Sequence, residues 1–358
     1  MKWPAHGSNP QYLYRTAGIP VPEEWLDFSA NINPLGPPRR LKEKWNEFFA
    51  GIMDYPDPHS SFLREKISGM EGLPSDSVLI GNGGAELIAL IGRWLAEKTV
   101  FIIEPAFSEY ERACRLNGCR VLYYQVRPPS WQPHEGELYA ALKEADAVFL
   151  CNPNNPTGVV YRREFIASFV ERCRENGTLL IIDEAFYDFV EDYRPIAPLL
   201  HEHENLIIIR SMTKMYAIPG LRLGYCLAAP AVIRELEKHQ PPWSVNAAAA
   251  RAGEVCLEEK EFVRSTAAYI SKEREKLFAF FAAEGFEHTP SKVNFYLLRD
   301  PAFEDQYPLF EFLLKKGIVP RHTFNFPGLE GRWLRFAVKS GAANERLMEV
   351  LAQWKARH

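Results

Sequence analysis

The sequence predicts an α/β protein: a parallel sheet covered by helices on both faces, followed by a smaller α+β unit. Three observations carry this. Between about 39 and 240, short runs of continuously apolar residues alternate with helical stretches. A strand that is apolar throughout must be buried on both faces, as strands of a parallel sheet are. After "PPWSVN", residues 241–246, the pattern changes to a long helical region and then mixed strand and helix segments. Finally, 358 residues exceed what one core usually holds, since single cores stop growing near roughly 250–300 residues.

Taken in order, the first 35 or so residues ("HGSNPQYLY", "SANINPLGPP") are rich in Pro, Gly and Asn without a sustained period, and predict an arm and loop over 1–38. The large unit, 39–242, begins with the helical "HSSFLREKISGM" and the strand "SVLIG". The helix "AELIALIGRWLAE" follows, and then the strands "TVFII", "AVFLC", "TLLIID" and "NLIIIRS". The small unit, 243–358, opens with helix over about 245–285. It continues through the strand "NFYLLRD", a helix, "GIVPR" and "RWLRFAV" to a closing helix. In parallel sheets ligands sit beyond the carboxyl ends of the strands, so functional residues are expected just after them.

Composition narrows the partners. The chain is 47% hydrophobic and 25% charged, and its longest apolar runs ("TLLII", "NLIII") are strand-sized, far short of a membrane span. The start "MKWPAHGSNPQ" lacks the apolar stretch of a signal peptide, so the cytoplasm is the expected location. A net charge of −4 with interspersed signs argues against nucleic acid or membrane as partner. Six scattered cysteines show no C-x-x-C pair and no zinc-ligand grouping, so no metal is expected and the thiols read as reduced and mostly buried.

Four motifs follow predicted strands. In "IGNGGAELI" (80–88), Gly83 and Gly84 open a helix, whose free N–H groups favour an anion such as phosphate. The dinucleotide fingerprint G-x-G-x-x-G fails at Glu86, which disfavours a nicotinamide dehydrogenase. "CNPNNPTG" (151–158) presents Asn152 and Asn155 from a turn restrained by prolines. In "LLIIDEAFYDF", Asp183 ends a strand; a helix N-cap is the alternative reading for it. "SMTKMYAIPGLRLGY" (211–225) sets Lys214 behind Ser211 and Thr213, with Arg222 between apolar segments. Converging on one sheet edge, these supply a phosphate cradle, an amide, a carboxylate and an amine. A lysine can form a Schiff base with an aldehyde cofactor, a carboxylate can keep a pyridine nitrogen protonated, and N–H and hydroxyl groups can hold a phosphate. Pyridoxal 5′-phosphate needs all three.

In order and spacing, "NPNNPTG", "DEAF" and "SMTKMYAIPGLRLGY" resemble the fold-type-I aminotransferase superfamily, along essentially the whole chain. The resemblance implies a large domain with a mainly parallel seven-stranded sheet between helices, plus a small α+β C-terminal domain. It implies pyridoxal phosphate as cofactor, Lys214 as the Schiff-base lysine, Asp183 as the pyridinium partner and Asn155 as hydrogen-bond donor to the ring 3-oxygen. Gly84, Ala85, Ser211 and Arg222 would hold the cofactor phosphate, and Phe107 in "EPAFSEY" would stack on the ring. Tyr55 in "MDYPDP" would reach the cofactor of a neighbouring subunit, which implies a homodimer with shared active sites. Arg335 in "RWLRFAVK" falls on the superfamily's carboxylate-binding arginine.

Within the superfamily, "HGSN", "DFSANINPLG" and "GIVPRHTFNFPGL" resemble the threonine-phosphate decarboxylases, cobalamin-pathway relatives of the histidinol-phosphate aminotransferases. That branch usually opens H-G-G-N, so Ser8 is a departure. The resemblance implies a small phosphorylated amino acid as substrate, gripped by His6, Asn33, Asn155, Arg321 and Arg335. Phe186 stands where many of these aminotransferases carry a tyrosine, which leaves Asn155 to tune the ring and points toward the decarboxylases. Transamination is the second reading. A non-catalytic regulator on the same fold would be expected to carry a DNA-binding segment before the arm.

Overall fold

The computed structural model describes residues 3, 4 and 6–358. A short strand in the arm, β1 (Leu26–Asp27), precedes the large sheet. That sheet is built from β2 (Val78–Gly81), β3 (Thr99–Glu104), β4 (Arg120–Gln125), β5 (Ala147–Cys151), β6 (Leu179–Asp183), β7 (Leu206–Ser211) and β8 (Gly224–Ala228). Its order is β2-β8-β7-β6-β5-β3-β4. Strands β3 to β7 pair parallel, and β8 runs antiparallel to both its neighbours, β2 and β7. The sheet is therefore mainly parallel and seven-stranded, as expected.

Two of its strands carry no clear sequence mark, for opposite reasons. Strand β4 is an edge strand with no fully buried residue, so its sequence "RVLYYQ" lacks the apolar run. Strand β8 is fully buried, but its "GYCLA" lacks a run of branched aliphatic residues and follows directly on the lysine loop.

Successive residues of the central strands point alternately into two cores. Phe101, Ile103, Val148, Leu150, Leu180, Ile182, Leu206 and Ile208 belong to one, while Val100, Ile102, Ala147, Phe149, Ile181, Ile207 and Ile209 belong to the other. This two-sided burial is why the strands are apolar throughout. The helices Gly84–Trp94, Glu109–Leu116 and Pro230–Glu237 cover the second face. Ser61–Glu71, Arg163–Glu175 and Lys260–Ala283 cover the first, through residues such as Leu63, Phe169 and Leu277. Each large aliphatic side chain so buried contributes roughly 1.5–3 kcal/mol, which is ample to fix the register of the strands that carry the site.

The carboxyl-terminal part holds β9 (Glu287–His288), β10 (Phe295–Arg299), β11 (Ile318–Val319), β12 (Arg321–His322) and β13 (Leu334–Ala337). Four of these form an antiparallel sheet in the order β12-β13-β10-β9. The long helical region expected after 245 is two helices, Ala247–Cys256 and Lys260–Ala283. The arm contains the helix Pro10–Ala17, whose eight residues bury only Leu13 and Tyr14, too few for a visible period. It is stitched to the carboxyl-terminal part: β1 pairs parallel with β11, Tyr14 Oη donates to Leu314 O at 3.0 Å, and Ala337 N donates to Phe28 O at 2.8 Å. All six cysteines are buried and free of disulfides. Among the described residues no helix is long and apolar enough to cross a membrane.

Candidate active site

The carboxyl ends of β5, β6 and β7 meet the arm and the small sheet around a cavity of about 500 Å³. Register places Asp183, the last residue of β6, beside Cys151 of β5 and Ile209 of β7, so the carboxylate and the lysine loop after β7 emerge together. Lys214 Nζ donates to Ser211 Oγ at 3.1 Å, and Ser211 Oγ lies 2.9 Å from Thr213 Oγ1. Burial lowers the lysine to about 8, with Asp183 opposing and Arg222 reinforcing that fall. An amine poised there exchanges protons readily near neutrality.

Asp183 is 6% exposed and pushed above the usual carboxylate range by burial. Two donors limit that rise: Tyr110 Oη at 2.6 Å on Oδ2 and Ala185 N at 2.9 Å on Oδ1, and the Lys214 charge assists. Tyr110 is fully buried and is a site residue that sequence reading missed. Its clue lay in helical spacing, because Tyr110 stands three residues after Phe107 in the same turn and helix start.

The helix Gly84–Trp94 begins without a side-chain cap, so its first N–H groups are free for an anion. Gly83 sits at φ +79°, and a Cβ there would come within 2.6 Å of Arg222 Nη2. Only glycine lets the guanidinium close over this helix start. Arg222 is itself in the left-handed region at φ +58° and is held by Pro219 O at 3.4 Å. Gly84, Ala85, Ser211 and Arg222 thus form a cradle at one end of the cavity, with Lys214 and Asp183 beyond it. The donor set suits pyridoxal phosphate: N–H, hydroxyl and guanidinium groups for the phosphate, an amine for the aldehyde and a carboxylate for the ring nitrogen.

At the other end stand two buried arginines. Arg335 donates from Nη1 to Asn155 Oδ1 at 2.6 Å and from Nη2 to Ser29 O at 2.8 Å, while its buried Nε has no partner among the described residues. Asn155 spends its carbonyl oxygen on Arg335, so its amide NH₂ is the group left to meet a ligand. Arg321 donates to His322 O at 2.7 Å and to Asn325 Oδ1 at 2.8 Å. Burial brings Arg335 down to about 10 and Arg321 to about 9, the latter also repelled by Arg335. His6 of the arm lies 2.8 Å from Glu109 Oε1, its ring 5.6 Å from that of Phe107. Phe186 packs edge-on against Phe295 at 4.8 Å, with Lys214 Nζ 5.9 Å from its ring centre.

The cavity therefore brings together His6, Gly84, Ala85, Phe107, Asn155, Asp183, Ser211, Lys214, Arg222, Arg321 and Arg335. Two expected residues stand outside it. Asn33 is a correction: its amide donates to Met215 O at 2.8 Å and Thr266 Oγ1 at 3.3 Å, its Oδ1 accepts from Leu35 N, and its N–H donates to Lys214 O at 3.1 Å. It buttresses the lysine loop and has no donor left for a phosphate or carboxylate. The cavity residue is Asn31, 7% exposed, whose Oδ1 has no partner among the described residues. Two asparagines one residue apart in "ANIN" look alike in sequence, and only the packing separates them. Tyr55 is 85% exposed, against Trp243, and does not line the cavity.

The family model for class I and II aminotransferases matches residues 23–352. The chain is 36% identical over 350 residues to the threonine-phosphate decarboxylase of Salmonella typhimurium, covering 97% of this chain and 95% of that one. It is 34% identical over 333 residues to the histidinol-phosphate aminotransferase of Symbiobacterium thermophilum, covering 91% and 89%. The crystal structure of the histidinol-phosphate aminotransferase from Clostridium acetobutylicum superposes with a TM-score of 0.87 at 30% identity, covering 93% of this chain and 100% of that one. The chain belongs to the class I and II aminotransferase family, fold-type-I enzymes that use pyridoxal phosphate.

Proposed function

We propose that the enzyme decarboxylates L-threonine O-3-phosphate to (R)-1-aminopropan-2-yl phosphate, a step of cobalamin biosynthesis. The observation that carries this is the arginine end of the cavity. Arg321 and Arg335 line the same cavity, both buried and both lowered from the usual guanidinium range. Such a pocket favours a substrate bearing two anionic groups, a carboxylate and a phosphate. The similarity to a threonine-phosphate decarboxylase supports the same choice.

Bound pyridoxal phosphate supplies an electron sink for the bond broken at the substrate's α-carbon. The protein's own residues decide which bond that is. Arg335, fixed by Asn155 and Ser29, and the phosphate grip of Arg321 and His6 would turn the α-carboxylate upright on the ring. The bond to the carboxylate then breaks, carbon dioxide leaves, and the Lys214 ammonium returns one proton to the same carbon. Asp183 would hold the ring nitrogen's proton, and Tyr110 holds Asp183.

We further infer a cytoplasmic homodimer with shared sites. Tyr55 lies among exposed apolar side chains (Phe49, Ile52, Met53, Phe62) of the kind a second copy would cover and would then reach the partner's cofactor phosphate.

The test is incubation of the purified holoenzyme with L-threonine O-3-phosphate while carbon dioxide is measured. Release is expected. No release, together with turnover of histidinol phosphate and 2-oxoglutarate, overturns the reading in favour of an aminotransferase. Lys214→Ala is expected to lose the visible absorbance of the holoenzyme, and Asp183→Ala to slow turnover by orders of magnitude.

A further inference from the structure

Eight non-glycine residues among those described adopt positive φ, and two of them, Ser8 and Arg222, line the cavity. Arg222 is there to close a phosphate cradle. Ser8, at φ +69°, has no such explanation yet. A serine in the left-handed region is strained relative to glycine, and strain of this kind persists at binding sites where the surroundings fix it.

The surroundings do fix it. Gly7 lies so close to the chain opposite that a Cβ would approach Ser29 O to 2.4 Å. Ser8 N donates to Ser29 Oγ at 2.9 Å, and Ser29 Oγ donates to Asp27 Oδ1 at 2.6 Å. The Ser29 carbonyl accepts from Arg335 Nη2. Ser8 is thus held, through one intervening residue, at a set position relative to Arg335. Its backbone N–H is engaged, its hydroxyl makes no hydrogen bond among the described residues, and its exposed side chain borders the cavity that also holds His6, Asn31 and Arg321.

We propose that the Ser8 hydroxyl is a further ligand for the substrate's phosphate, so that Ser8 is a specificity-determining residue for a phosphomonoester. This rests on the reading that the substrate is a phosphorylated amino acid. An O–H group donated to an anionic oxygen adds affinity without adding charge, in a pocket already crowded with cations.

The test separates the two claims. Holoenzyme, Ser8→Ala and Ser8→Gly are titrated calorimetrically with inorganic phosphate and assayed with L-threonine O-3-phosphate. Both variants are expected to bind phosphate about tenfold more weakly and to show KM raised by a similar factor at unchanged kcat, while the thermal midpoint of Ser8→Gly stays at or above that of wild type. Wild-type phosphate affinity in both variants overturns the proposal, as does a wild type that binds no phosphate. A loss confined to Ser8→Gly also overturns it, because loop flexibility would then be the cause. Absence of carbon dioxide release by wild type counts against the decarboxylase reading alone, since the phosphate titration still reports on Ser8.

Discussion

Arg210 and Arg335 are buried to a similar degree within one molecule, at 1% and 7% exposure, yet they have opposite electrostatic surroundings. Arg210, near the end of β7, donates from Nε to Glu184 at 2.8 Å and from Nη1 to Glu71 at 2.5 Å, and its guanidinium lies 4.1 Å from the Tyr187 ring centre. Burial alone would lower it, but Tyr187, Glu184, Tyr225 and Glu71 outweigh that and hold it well above its ordinary range. Arg335 meets an amide oxygen and a carbonyl, forms no ion pair among the described residues, and falls to about 10. Dipoles orient a cation but do not neutralise it. The charge of the first arginine is matched within the protein, by two carboxylates, although its buried Nη2 has no partner among the described residues, whereas the second gains a charge partner when an anion arrives.

The largest expected effect breaks the second case. Arg335→Gln should lower kcat/KM by about a thousandfold, roughly 4 kcal/mol, because a buried substrate carboxylate loses its charge partner. The thermal midpoint should not fall, since the variant removes a buried charge whose burial cost Asp27 offsets only in part. Steady-state kinetics and calorimetry check both halves, and a marked loss of stability at unchanged kcat/KM would make Arg335 structural after all.

Arg210→Met should do the reverse. Removing the cation strands Glu184 and Glu71 in the interior, at a cost of about 3 kcal/mol of folding stability. Correctly folded variant should keep kcat/KM within a few-fold of wild type. Denaturant unfolding measures the first quantity and active-site titration normalises the second. If catalysis collapses while the fold holds, Arg210 reaches the chemistry through Ser211, its neighbour in the cavity wall.

This contrast also explains what could be read from the sequence. The large sheet was legible because both its faces are buried, so Ile181, Ile182, Ile207 and Ile208 write an apolar run that needs no tertiary knowledge. The cofactor end was legible because strand ends set the positions of Asp183, Ser211 and Lys214 one after another. The arginine end was harder, because it joins the arm to β12 and β13, more than 280 residues further along the chain, and nothing local says which asparagine of "ANIN" faces inward. Arg210 shows the same limit from the other side. It sits in the motif "IIIRS" close to Lys214, but its pairing with Glu71 and Glu184 depends on a helix and a strand end whose packing the sequence does not state. Tyr110 was visible as a residue but not as a partner, since its bond to Asp183 crosses from a helix to a strand end.

Glu104 extends the comparison to a carboxyl group with no ion pair among the described residues. It ends β3 at 3% exposure and accepts from Ala106 N at 2.6 Å. Burial pushes it up to about 7, with the Ala106 N–H opposing and Glu111 adding to the rise. A buried arginine cannot readily shed its charge, but a carboxylic acid can, by keeping its proton. Its folded-state value is raised, so its contribution to stability is fully present below about pH 4.5 and is lost as pH rises through about 7. Glu104→Gln removes that loss while keeping an acceptor for Ala106. The variant should match wild type near pH 4 and exceed it by about 3 kcal/mol at pH 8, measured as the gap between thermal unfolding scans across that range. A gap that stays constant with pH would mean that Glu104 is ionised and satisfied inside the protein. Shortage of charge partners would then no longer suffice to distinguish a waiting site such as Arg335 from a charge-matched one such as Arg210.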